Sequence, residues 1–121
     1  MKKVLLVDDE ASLRDNIVEV LTLEGFDAIS STDGKEGYEK AISNLPDIII
    51  CDVMMPVMDG TEMFLKIKSN ELTRNIPFIF LTALVDRFDQ KKGIELGANG
   101  YLEKPFTIES LLKIIRANID R

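Results

Sequence analysis

Ile48-Ile49-Ile50-Cys51-Asp52-Val53-Met54-Met55-Pro56-Val57-Met58-Asp59-Gly60 is the stretch on which the fold turns. Its first four residues are apolar and mostly β-branched, with no polar alternation. Strands covered on both faces of a parallel sheet have this pattern. The run ends abruptly in Asp52, and Pro56 and Gly60 shape the loop that follows. Asp59 with Glu62 three residues on has the form of a capping box, ahead of Met63, Phe64 and Ile67 at helical spacing. The segment therefore reads as strand, loop and helix, with a carboxylate at the carboxyl end of a buried strand.

The same unit recurs in both directions. Apolar runs lie at residues 4–7, 28–31 and 78–81, and a weaker one at 100–102. Leu13, Ile17, Val20, Leu21 and Glu24 follow helical spacing, with Gly25 as a natural stop. Asp33 and Glu36 form a second capping box, ahead of Tyr38, Ala41 and Ile42. Val85, Phe88 and Leu96 mark a fourth helix that should stop at Gly97, and Thr107 caps a last one carrying Leu111, Ile114, Ile115 and Asn118. Strand and helix thus alternate five times. This predicts one α/β domain over residues 1–121, a (βα)5 arrangement with a central parallel five-stranded sheet and helices on both faces. A flavodoxin-like order, 2-1-3-4-5, fits the pattern, although spacing alone does not fix strand order. In such sheets the functional crevice lies outside the carboxyl ends of the strands.

Bulk properties narrow the function. The 121 residues are 45% hydrophobic and 30% charged, as in ordinary soluble domains. A net charge of −6 argues against direct nucleic-acid binding and against docking on an anionic membrane. There is no His, which removes Ser-His-Asp and Cys-His catalysis and most zinc chemistry. The single Cys51 sits in the buried run and reads as a small hydrophobe. The apolar start, residues 4–7, is too short for a signal peptide, and no stretch is long enough to span a membrane, so a cytoplasmic location is expected.

The strand ends carry the chemistry. Asp8, Asp9 and Glu10 follow the first strand, Asp52 the third, Thr82 the fourth, and Lys104-Pro105 the fifth. Three carboxylates brought together must raise their pKa values or hold a cation. Oxygen-only ligands favour a hard ion, and Mg²⁺ fits best. Read alone, Asp8 and Asp9 would serve equally well as caps of the first helix. Lys104 can pair with Asp52 and later with a phosphoryl oxygen, and Lys104–Pro105 is a candidate cis peptide. The Thr82 hydroxyl can donate to such an oxygen, or cap the fourth helix. The Met54 carbonyl is available to a metal. Tyr101 is either edge-strand packing or a ring that follows Thr82.

Together these residues resemble the response-regulator receiver domains of two-component signalling. The matching pieces are Val7-Asp8-Asp9-Glu10, Asp52-Val53-Met54-Met55-Pro56 with Met58-Asp59-Gly60, Leu81-Thr82-Ala83, and Gly97-Ala98 through Tyr101 to Lys104-Pro105-Phe106. The resemblance implies the 2-1-3-4-5 order and a role for each position. Asp52 is the phosphoacceptor. Asp9, Asp52 and the Met54 carbonyl are direct Mg²⁺ ligands, and Asp8 acts mainly through water. Thr82 and Lys104 assist the transfer, and Thr82 with Tyr101 forms the switch pair. The phosphoryl donor is a sensor histidine kinase or histidine phosphotransfer protein. The output is a downstream protein or domain, reached through the face of the fourth helix, fifth strand and last helix. Polar and charged residues of the fourth helix (Gln90, Lys91, Lys92 and Glu95, with Phe88) read as a solvated face or as part of that surface. A dimer through that face is compatible with the resemblance but carried by nothing in the sequence. Met54 and Leu84, two residues past Asp52 and Thr82, cannot orient water, so slow self-dephosphorylation is expected.

Three other kinds of protein share parts of this pattern. An aspartyl-phosphate phosphohydrolase would want a second Asp where Met54 stands. A pseudo-receiver would have lost an acid or the Lys. A flavodoxin would want a Ser/Thr/Gly-rich loop where Asp8-Asp9-Glu10 would repel phosphate.

Overall fold

The computed structural model describes residues 1–83 and 97–119. Five strands, β1 Lys3–Val7, β2 Asp27–Ser31, β3 Ile48–Asp52, β4 Phe78–Ala83 and β5 Gly100–Lys104, form one sheet in the order β2-β1-β3-β4-β5. Every pairing is parallel. Among the described residues there are four helices: α1 Ala11–Leu23, α2 Gly34–Asn44, α3 Gly60–Ser69 and α4 Ile108–Ile119. The helix expected around Val85, Phe88 and Leu96, with Gln90, Lys91, Lys92 and Glu95, lies outside the described residues, as does Leu84.

Strand alternation divides the core in two. Leu5, Val7, Ile49, Cys51, Phe78 and Phe80 share one cluster with Ala41 of α2 and Met63, Phe64 and Ile67 of α3. Val4, Leu6, Ile48, Ile50, Ile79 and Leu81 share the other with Ile17 and Leu21 of α1 and Leu111, Leu112 and Ile115 of α4. Both faces of the central strands are covered, which is why their sequences show no polar alternation. On the first face the Phe64 ring meets Phe78 edge-on at 5.1 Å and Phe80 at 5.5 Å.

The helix starts follow the local signals. Asp33 accepts from the Glu36 N–H and Asp59 from the Glu62 N–H, each at 2.9 Å. Thr107 Oγ1 accepts from the Ser110 N–H at 3.1 Å. The N-cap of α1 is Glu10, without a side-chain bond, so Asp8 and Asp9 do not serve as its caps. Three strands run further at their carboxyl ends than expected. β3 includes Asp52, which pairs with Leu81. β4 extends through Thr82 and Ala83, and β5 through Lys104, because Thr82 pairs with Glu103 and Ala83 with Lys104. Thr82 is therefore a strand residue and does not follow the strand. No helix among the described residues is long and apolar enough to cross a membrane.

Candidate functional site

Register brings the acids together. Val7 pairs with Cys51, so Asp8 and Asp52 leave adjacent strands side by side. Asp52 pairs with Leu81, and Leu81 with Leu102. Lys104 stands two residues past that row on β5 and reaches back across β4. Its Nζ lies 2.9 Å from Asp8 Oδ2 and 3.3 Å from Asp52 Oδ2. The Lys104–Pro105 peptide is cis.

Asp8 is fully buried and its bonds fix its orientation. Oδ1 accepts from the Glu10 N–H at 2.9 Å and Oδ2 from Lys104. Arg14 Nη1 donates to the Asp8 carbonyl at 2.9 Å. Arg14 gave no signal in the sequence, where a helical Arg near a strand end reads as a solvated charge. Asp52 is 6% exposed. Burial raises its pKa to about 6, the Asp8 charge adds to the rise, and Lys104 opposes it. For Lys104, burial works against the ammonium, but its bonds and charge contacts with Asp8 and Asp52 outweigh this and hold its pKa above the ordinary value.

Asp8, Asp9 and Asp52 each offer a carboxylate oxygen, and the three lie within 4.8 Å of one another. Asp9 is exposed while the other two are buried, so the cluster opens to solvent on one side. Three hard oxygen donors with one open side fit Mg²⁺, which keeps several waters. Met54 begins the loop beyond Asp52, with its side chain 62% exposed. Thr82 is buried, and its hydroxyl donates to the Ala83 carbonyl at 3.3 Å. Tyr101 pairs with Phe80 in the ladder and is 40% exposed. Cys51 is wholly buried, its Sγ 3.3 Å from the Asp52 carbonyl, and burial pushes the thiol pKa well up. It packs as a hydrophobe.

Gly60, read in the sequence as shaping the loop, and Gly34, which the sequence did not single out, prove to be close contacts. A Cβ on Gly60 would run into the Asp52 carbonyl oxygen, and one on Gly34 into the Met58 carbonyl oxygen. Neither contact has a sequence signature, since each joins segments that meet only in the fold.

A family model described as the response regulator receiver domain matches residues 4–116. Response regulator ArlR of Staphylococcus saprophyticus is 42% identical over the whole chain, which covers 54% of that protein. The alkaline phosphatase synthesis transcriptional regulatory protein PhoP of Bacillus subtilis is 38% identical over 99% of the chain and 49% of its own length. The chain spans about half the length of these curated relatives. The chemotaxis protein CheY4 of Vibrio cholerae superposes with a TM-score of 0.90 at 36% identity, over 98% of each chain. The receiver domain of the Pseudomonas aeruginosa histidine kinase PA1611, solved with a magnesium ion in its active-site cleft, does so with a TM-score of 0.90 at 30% identity, over 99% of this chain and 98% of its own. Matched from β1 to α4 in sequence and superposed throughout in strand order, the chain belongs to the response regulator receiver domain family.

Proposed function

We propose that this chain acts as the phosphorylated switch of a two-component system, with Asp52 as phosphoacceptor. The observation that carries the reading is the setting of Asp52. It is a nearly buried carboxylate at a strand end, with Asp8 beside it and the Lys104 ammonium 3.3 Å away. The donor is a phosphohistidine on a sensor histidine kinase or a phosphotransfer protein. An Asp52 oxygen forms the new O–P bond as the N–P bond of the donor breaks, and the departing imidazole nitrogen takes up a proton. Lys104 offsets charge gathering on the phosphoryl oxygens, and the Thr82 hydroxyl turns from Ala83 to donate to one of them. Asp9, Asp52 and the Met54 carbonyl would hold Mg²⁺ directly and Asp8 mainly through water. When bound, the ion neutralises charge on the transferring group. The chain accelerates only its own phosphorylation and slow dephosphorylation and turns over no separate substrate.

The acyl phosphate adds nearly two negative charges to an acidic cluster. Movement of Thr82 and Lys104 toward it shifts the carboxyl ends of β4 and β5, and Tyr101 follows. The changed face, which includes β5 and α4, is read by a downstream protein or an attached output domain. The same face is the candidate dimer surface. The net charge of −6 argues against direct nucleic-acid contact by this domain. A cytoplasmic location fits this role.

The test is intact-mass measurement after incubation with Mg²⁺ and acetyl phosphate, beside a metal-free sample and Asp52→Asn. One added phosphoryl group that needs Mg²⁺ and disappears in Asp52→Asn is expected. Phosphate retained in Asp52→Asn would move the acceptor elsewhere. No uptake from acetyl phosphate, followed by no response of Tyr101 fluorescence to beryllofluoride, would leave a non-phosphorylated binding module.

A further inference from the structure

The loop after Asp52 is pressed against the first residue of α2. Met58 closes a tight turn around Val57, its N–H donating to the Pro56 carbonyl at 2.7 Å. Val57 takes φ +68°, where a β-branched residue is strained, so the turn persists only if its surroundings hold it. The Gly34 N–H donates to the Met58 carbonyl at 3.1 Å, and the Met58 side chain packs against the α2–α3 side of the core. At the far end the Gly60 N–H donates to the Val53 carbonyl at 2.8 Å.

Gly34 has no room for a side chain. Beyond the clash with the Met58 carbonyl oxygen, a Cβ would lie 3.0 Å from both the carbonyl carbon and Cγ of Met58. Nor is its φ in the left-handed region, where glycine would be favoured for conformation alone. An alanine would suit a helix better than glycine does. The approach of Met58 is what requires glycine here.

We propose that Gly34 is a positioning residue for the Asp52 site. By clamping the Met58 carbonyl, the start of α2 sets the path of residues 53–59, and with it where the Met54 carbonyl stands relative to Asp52. The loop is pinned at Gly60 as well, so a displacement at Met58 is passed back toward Met54. The inference rests on the reading of Asp52 and Met54 given above.

The test compares Gly34→Ala with Gly37→Ala. A Cβ on Gly37 would press first on Val7 Cγ2 at 2.8 Å and Met63 Sδ at 3.0 Å, so that variant strains the same helix against the core rather than against the Met58 carbonyl. Mg²⁺ affinity is measured by calorimetry, Tm without metal, and phosphorylation by acetyl phosphate across Mg²⁺ concentrations. Gly34→Ala is expected to weaken Mg²⁺ binding by about 10-fold or more, the range seen when outer contacts of a metal site are lost. Its phosphorylation rate should recover at saturating Mg²⁺. Gly37→Ala is expected to lower Tm and leave Mg²⁺ affinity unchanged. Equal Mg²⁺ affinity in Gly34→Ala and wild type overturns the proposal, as does an equal loss in both variants. If Gly34→Ala does not fold, hydrogen exchange of the Gly34 amide in the wild type decides. Slower exchange on adding Mg²⁺ is expected, and exchange indifferent to Mg²⁺ overturns the proposal. A wild type that takes up neither Mg²⁺ nor phosphate overturns the underlying reading of the site instead, and the proposal with it.

Discussion

The Lys104 ammonium and the Asp8 carboxylate, 96 residues apart in the chain, meet at 2.9 Å, closer than Lys104 comes to Asp52. Asp8 is wholly buried, so Lys104 is the charge that makes its burial tolerable. Removing one partner of a buried pair costs about 3–5 kcal/mol, and uptake of a proton by Asp52, whose pKa already stands at about 6, softens this. We expect Lys104→Met to lose about 2 kcal/mol in urea unfolding at neutral pH with EDTA. Added Mg²⁺ should recover more stability in the variant than in the wild type, since a competing cation is gone. Equal unfolding midpoints would show that the pair contributes nothing net.

Stability should also report Asp52 directly. An unfolded Asp releases its proton near pH 3.9, and the folded group does so at about 6. Between those values the native state holds a proton that the unfolded chain has lost. The contribution of Asp52 therefore weakens as pH rises through that window and stays level above it. In EDTA, Asp52→Asn should become more stable than wild type by up to about 2–3 kcal/mol between pH 4 and pH 7. A difference that does not change with pH would mean that Asp52 titrates alike in both states.

Val57 gives a stabilising prediction. Its φ of +68° is costly for a branched side chain, and the residue is 77% exposed, so little packing is lost on truncation. Relief of about 1–2 kcal/mol of strain should outweigh the added chain entropy of glycine. Val57→Gly is expected to raise Tm by a few degrees. A fall in Tm would show that the turn is not under strain.

Phe64 tests the core beneath the site. It is fully buried and in ring contact with Phe78 and Phe80. Phe64→Ala should cost about 3–5 kcal/mol through the cavity it leaves. A loss below about 1 kcal/mol, by chemical denaturation, would mean that α3 collapses onto the sheet to fill the gap.

Phosphate release follows from Met54, whose exposed thioether chain can neither accept a proton from water nor aim it. The phosphorylated protein should lose its phosphate slowly in Mg²⁺ buffer, and Met54→Glu should hasten the loss. Loss within seconds in the unmodified protein, followed by intact mass, would contradict this.

The sequence was most legible where one local force dominates. The unbroken apolar runs of β1, β3 and β4 matched strands covered on both faces, and the two capping aspartates accept the N–H bonds expected of them. Strand ends were less legible. β4 continues through Thr82 and Ala83 because β5 supplies partners for them, and pairing with a distant segment leaves no local mark. Arg14, Gly34 and the contact that fixes Gly60 were missed for the same reason, each acting through an approach made only on folding.

The sequence by itself determined the alternation of strand and helix and placed acids and a lysine at strand ends, since hydrophobic period and capping chemistry act over a few residues. Only the tertiary structure decided how those groups share out. Parallel register sets Asp8 beside Asp52, and Lys104 pairs more closely with Asp8 than with Asp52. Burial then lifts Asp52 to about pH 6. These depend on distances between segments far apart in the chain, and on water being excluded from where they meet.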